Sequence, residues 1–115
     1  AVDAREAVTL KAVLVTGGAR KTVRITSLGS MSVTADMKGD PGDLTEAVAL
    51  RFNVPIRTGT ALVTCNCVLQ RRETDANKDV TVMEFAVEST EEGDRPGVLE
   101  RYVRWLHQRS ISRDQ

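Results

Sequence analysis

Aromatic rings are scarce in this chain. Two Phe, one Tyr and one Trp make up 3% of its 115 residues. A packed core must therefore be built from Val, Leu, Ile and Ala. Excess charge of either sign is also missing: 16 basic residues balance 16 acidic ones. Nothing global draws the chain to a nucleic-acid polymer or an anionic membrane. No run approaches the roughly 20 apolar residues of a membrane span. No charged-then-apolar leader opens it at Ala1-Val2-Asp3-Ala4, and no membrane insertion is expected; a cytoplasmic location is expected from the reduced state of its two cysteines, Cys65 and Cys67.

Catalytic ingredients are thin. His107 is the single histidine, and Val103 and Arg104, its neighbours one turn back, offer no carboxylate. There is no Gly-x-Ser-x-Gly elbow and no phosphate-cradling glycine loop before a helix. No nucleophile, base and orienting group come together, so the chain is not expected to be an enzyme. Glu91 and Glu92 read as a solvated loop before a helix. The two cysteines, Cys65 and Cys67, lie two residues apart in Thr64-Cys-Asn-Cys-Val68. On a strand they share a face, with poor geometry for a disulfide. Zinc would need further ligands that one His and no other Cys do not supply. Reduced, inward-facing thiols are expected, with no metal and no cofactor.

What the chain does have is apolar patterning. It is 41% hydrophobic, and a chain of this length buries roughly 65% of its unfolded surface as one domain. Residues 8–15, VTLKAVLV, read as a strand ending at Gly17-Gly18, which can supply the positive φ angles of a tight hairpin. Residues 20–25, RKTVRI, form the return strand. Residues 31–35 form a third. Residues 36–43, DMKGDPGD, read as a loop. Residues 48–52 form a strand ending at Asn53-Val54-Pro55. In residues 60–70, Ala61, Val63, Cys65, Cys67 and Leu69 alternate with Thr64, Asn66 and Gln70, the pattern of a long half-buried strand. Residues 71–79 read as a polar connection and residues 80–87 as the last strand.

The period then changes. Asp94 can cap a helix with Pro96 in its first turn. Val98, Leu99, Tyr102, Val103 and Leu106 fall on one stripe at helical spacing, with Trp105 beside it. The basic face carrying Arg101 and Arg104 should stay wet. Six hairpin-linked strands with one buried face remove their exposed edges by closing. The expected fold is all-β with a C-terminal helix: a six-stranded antiparallel barrel over about residues 5–87, a helix over 95–108 and a short tail over 109–115.

One stretch stands out. Residues 25–33, ITSLGSMSV, carry no charge and no aromatic, and must turn near Leu28-Gly29-Ser30. The order REAVTLKAVLV, VRITSLGSMSV, PGDLTEAVALRFNVP, TALVTCNCVLQRR, VTVMEFAV and VLERYVRWL resembles the PilZ family from Arg5 to about Gln108. PilZ domains are six-stranded barrels with a trailing helix, and many are receptors for cyclic di-GMP. The family signature is RxxxR near the start and [D/N]xSxxG at the turn after the second strand. Arg5 aligns with the second Arg, and the first falls on Ala1. Ser27 matches the motif serine. Ile25 stands where an acid or amide is expected, and Ser30, after Gly29, where the last glycine is expected.

The resemblance implies a nucleotide site at Arg5, Ile25, Ser27, Gly29 and Ser30. An Arg pair gives bidentate bonds to phosphate and guanine, and an acid or amide takes the guanine N–H donors. Ile25 can only pack. Each bond to a charged group is worth roughly 1.5–3 kcal/mol, so the departures weaken binding by about two to four decades. Three placements of Ile25 stay open: inward packing, a surface for a partner or a second copy, and a ligand-facing position. The implied function is a divergent PilZ-like regulatory module in bacterial cyclic di-GMP signalling, acting through a partner protein or self-association. The alternative is a working cyclic di-GMP receptor that uses the N-terminal Arg segment and the ITSLGS turn.

Overall fold

A computed structural model describes residues 6–29, 31–42, 44, 47–93 and 95–113. Six strands run β1 (Glu6–Thr16), β2 (Ala19–Leu28), β3 (Ser32–Lys38), β4 (Val48–Ile56), β5 (Gly59–Asp75) and β6 (Val80–Glu91), followed by helix α1 (Val98–Arg113). They close into an antiparallel barrel in the order β1-β2-β3-β6-β5-β4. Closure leaves no long unpaired edge, as the hairpin-linked pattern requires.

Periodicity locates the core. Leu14, Ile25, Leu50, Val63, Cys65, Met83 and Phe85 all point inward and are fully buried. On β5 the predicted apolar face is buried from Ala61 to Cys67, with Leu69 partly so. Gly17 and Gly18 hold φ of 53° and 85°, the paired positive values that a two-residue hairpin turn demands.

Several strands run past their predicted ends. β3 continues to Lys38 because Asp36 meets Arg24 at 2.9 Å and residues 36–38 pair with β6. β4 passes through Pro55, which pairs with Thr60 on β5. Its register with β1 stops at Phe52, so the missing Pro N–H falls at a strand end, where it is tolerated. β5 takes in Arg71–Asp75 by pairing with Val80–Glu84 of β6, although both of its faces are exposed there.

The helix begins at Val98 rather than at residue 95. Gly97 adopts φ +82°, outside the right-handed helical region, so Pro96 stands before the helix and not in its first turn. The predicted cap, Asp94, lies outside the described residues. A different acid does the capping: Glu92 Oε2 accepts the Leu99 N–H at 2.8 Å. A carboxylate there satisfies an orphan donor and faces the positive end of the helix dipole. Glu92 is thus a structural residue and not merely solvated loop. The predicted stripe of Val98, Leu99, Tyr102, Val103 and Leu106 is buried, against β4 and β1.

The barrel has two distinct ends. At one, Lys21 Nζ donates to Pro41 O at 2.6 Å, and Arg72 meets Gly42 O and the Asp40 carboxylate. The buried Thr81 hydroxyl donates to Gly39 O at 2.8 Å. At the other end lie the close of β2, the start of β3, the β4–β5 turn and α1.

Cys65 and Cys67 are free and buried. Burial pushes both thiols up to about 12, with Cys67 and Glu92 adding to the effect at Cys65 and Glu88 at Cys67. Folding therefore holds protons that the unfolded chain releases from about pH 9. Stability is full below that pH and falls as pH rises toward 12. Urea melts at increasing alkaline pH should show this loss, and Cys65→Ala with Cys67→Ala should reduce it; a curve unchanged by the double variant contradicts buried thiols.

Candidate functional site

The turn after β2 is built by a bulge. Ile25 pairs with Ala35 and Ser27 with Thr34, so Thr26 is the extra residue on β2. In regular alternation Ser27 would share the inward face of Ile25. With the extra residue, Ile25 and Leu28 both point inward, each fully buried, and Ser27 is re-aimed to a half-buried outer position. Thr26 Oγ1 donates to Thr34 O at 3.4 Å across the bulge. The turn is closed by the Gly29 N–H donating to Ser32 O, and the Val87 N–H ties Met31 O to β6, both at 2.9 Å.

The positions named from sequence separate at this point. Ser27 and Gly29 sit together at the end of β2. Ile25 belongs to the barrel core, in register with Leu10 and Ala35, so a surface or ligand-facing role for its side chain is overturned. Arg5 and Ser30 lie outside the described residues. The strand that follows Arg5 begins in register with the turn: Glu6 pairs with Leu28 and Ala7 with Ser27. Chain order thus brings the β1 entry and the β2 exit to one place.

Around Ser27 the outer row continues through Thr34 on β3, Glu84 on β6 and Arg71 on β5. Arg71 is engaged by Glu73 and Arg24 by Asp36, and each carboxylate raises the pKa of its arginine, chiefly through the hydrogen bond. Among the described residues, this row offers a hydroxyl pair and a carboxylate but no unengaged guanidinium. The bulge left no trace in the sequence, because Thr and Ser suit a strand and a turn alike. Among the described residues no group of three or more His, Cys, Asp or Glu is placed to hold a metal ion, and no helix is long and apolar enough to cross a membrane.

No protein-family model matches the sequence, and no curated protein matches it. Solved structures of similar shape include two PilZ-type proteins. The PilZ domain of YcgR from Escherichia coli, in a structure with c-di-GMP, matches over 97% of this chain and 95% of its own, with a TM-score of 0.61 and 12% identity. The Bacillus subtilis inhibitor of motility, MotI/DgrA, matches over 96% of this chain with a TM-score of 0.75 and 12% identity. The fold is that of a PilZ domain. The chain spans 51% of MotI/DgrA. Within the PilZ-like fold, the ITSLGS turn lies at the helix-covered end of the barrel, and the long β5–β6 hairpin projects from the other.

Proposed function

We propose that this chain is a non-catalytic regulatory module of bacterial cyclic di-GMP signalling, working in the cytoplasm as a single PilZ-like domain over residues 1–115. It acts through protein contacts and binds the dinucleotide weakly or not at all. The observation that carries this reading is the burial of Ile25. Where the motif calls for an acid or amide, the barrel has spent the position on its core, so guanine N–H donors find no acceptor from that residue. The shape shared with a PilZ domain solved with c-di-GMP supports the signalling context.

The second reading, a working receptor, is favoured by one observation. The pairing of Glu6 with Leu28 starts β1 beside the turn, which is where a clamp from Arg5 would be needed.

Restoring the motif without touching the core tests the weak-site reading. The double variant Ala1→Arg with Ser30→Gly should bind cyclic di-GMP at least about tenfold more tightly than wild type by calorimetry, since one added bond to phosphate is worth roughly 1.5–3 kcal/mol. Equal affinity in the two proteins contradicts a degenerate nucleotide site.

A further inference from the structure

A cleft of about 660 Å³ opens between the β4–β5 turn and α1, a size typical of ligand and anchor pockets. Ile56, Tyr102 and Trp105 form its apolar side, and Arg57, Arg95 and Arg101 form its rim. Trp105 is 50% exposed, although most of its helix neighbours are either buried apolar or charged. The ring is nonetheless held. Tyr102 stacks with it at 6.0 Å between centroids and 19° between planes, and the Arg109 guanidinium lies 5.4 Å from its centre. A pre-ordered ring loses little freedom on binding.

The charge around it is one-sided. Arg24, Arg71, Arg72 and Arg104 each meet a carboxylate elsewhere on the molecule. Arg57, Arg95 and Arg101 come from three different elements. Among the described residues none of them forms an ion pair, and no carboxylate lines the cleft. Trp, Tyr and Arg are also the side chains that dominate protein-interface energetics.

We propose that this cleft docks an acidic segment of a partner protein that carries a large apolar side chain. The apolar side chain packs on Ile56, Tyr102 and the half-exposed Trp105, and the flanking carboxylates pair with Arg57, Arg95 and Arg101. Tyr102 stacks with the indole and the Arg109 guanidinium lies over its ring, so the ring is already engaged within the helix. This inference rests on the reading of the chain as a module acting through protein contacts, and it names where such a contact forms. The cleft and the ITSLGS turn lie at the same end of the barrel, on opposite sides of it.

Trp105 is the single tryptophan, which makes its emission a specific reporter. The full chain is titrated with a panel of short synthetic peptides, each with Asp and Glu around a central Leu, Phe or Trp-free aromatic pair. Control peptides carry Lys for the acids or Ala for the apolar pair. At least one acidic peptide should change the emission saturably, with affinity falling at least tenfold in Arg57→Ala and in Arg101→Ala and falling again with added salt. Both arginines are exposed, so the variants keep the fold, as circular dichroism will verify. Five results overturn the proposal: no saturable change with any acidic peptide, equal binding of the Lys peptides, affinity unchanged in the Arg variants, an emission change produced by cyclic di-GMP instead, or one produced by raising the protein concentration instead. The last two would assign the cleft to a nucleotide or to a second copy. Because the Ala1→Arg/Ser30→Gly titration does not involve the cleft, failure here is distinguishable from failure of the functional reading.

Discussion

Replacing Ile25 by Asp is expected to unfold the barrel rather than to build a nucleotide site. Ile25 is fully buried, and its cross-strand partners, Leu10 and Ala35, have no polar side-chain atom to offer a carboxylate. Burying an unpaired charge is too costly for the group to stay ionised, so the carboxyl either protonates or brings water into the core. The lost side-chain packing adds to that penalty. Together these amount to roughly 5 kcal/mol or more, comparable with the whole stability of a domain this size. A urea melt of Ile25→Asp near neutral pH should show no cooperative transition. The sign of the pH effect follows from burial. It raises the folded-state pKa of the new carboxyl, so the variant is least damaged below the ordinary carboxylate range and loses stability as pH rises through it. Ile25→Val is the control, with an expected cost of about 0.5–1.5 kcal/mol. A cooperative, wild-type-like melt of Ile25→Asp would place this side chain on the surface and restore the partner-surface reading.

Leu99→Ala carries the second large effect. A 16-residue helix is marginal alone in water, and most of its stability in a protein comes from the face it buries. Leu99 is 3% exposed in the core cluster shared by barrel and helix, and its backbone N–H is the one held by Glu92. Truncation removes apolar contacts and leaves a cavity at the point where the helix is pinned. The expected loss is roughly 2–5 kcal/mol in urea denaturation. Far-UV circular dichroism should track it as one transition, because barrel and helix share a core. A loss below about half a kilocalorie would show that α1 contributes little to the fold, and the cleft beside Trp105 would not be a fixed feature.

The parts of this structure that were legible in the sequence are those where burial imposes a period. The β5 alternation from Ala61 to Leu69 and the stripe from Val98 to Leu106 each follow from one wet and one dry face. Gly17-Gly18 was legible because the turn needs backbone angles that few residues adopt. Where burial stops, so does the signal. Arg71–Asp75 form a strand with neither face covered, held by the ladder to β6 and by polar contacts such as Arg72 with Gly42 O, and RRETD therefore reads as loop. Pro55 suggests an end to β4 but sits at a strand end where its missing N–H costs nothing. Glu92 caps a helix that starts six residues later in sequence, a distance no local capping pattern spans. At the candidate site, the inward direction of Ile25 continues the alternation from Val23, but the outward direction of Ser27 depends on a bulge at Thr26 that no residue type announces.

The most direct measurement is a calorimetric titration of the unmodified chain with cyclic di-GMP, repeated on Arg5→Ala. The burial of Ile25 and the lack of an unengaged guanidinium beside Ser27 predict a dissociation constant no tighter than about 10 μM, with little further loss in Arg5→Ala. For scale, 1 μM corresponds to about −8.2 kcal/mol. Sub-micromolar binding by the wild type that disappears in Arg5→Ala would contradict a weak site. It would make Arg5 the clamp, and the chain a working cyclic di-GMP receptor.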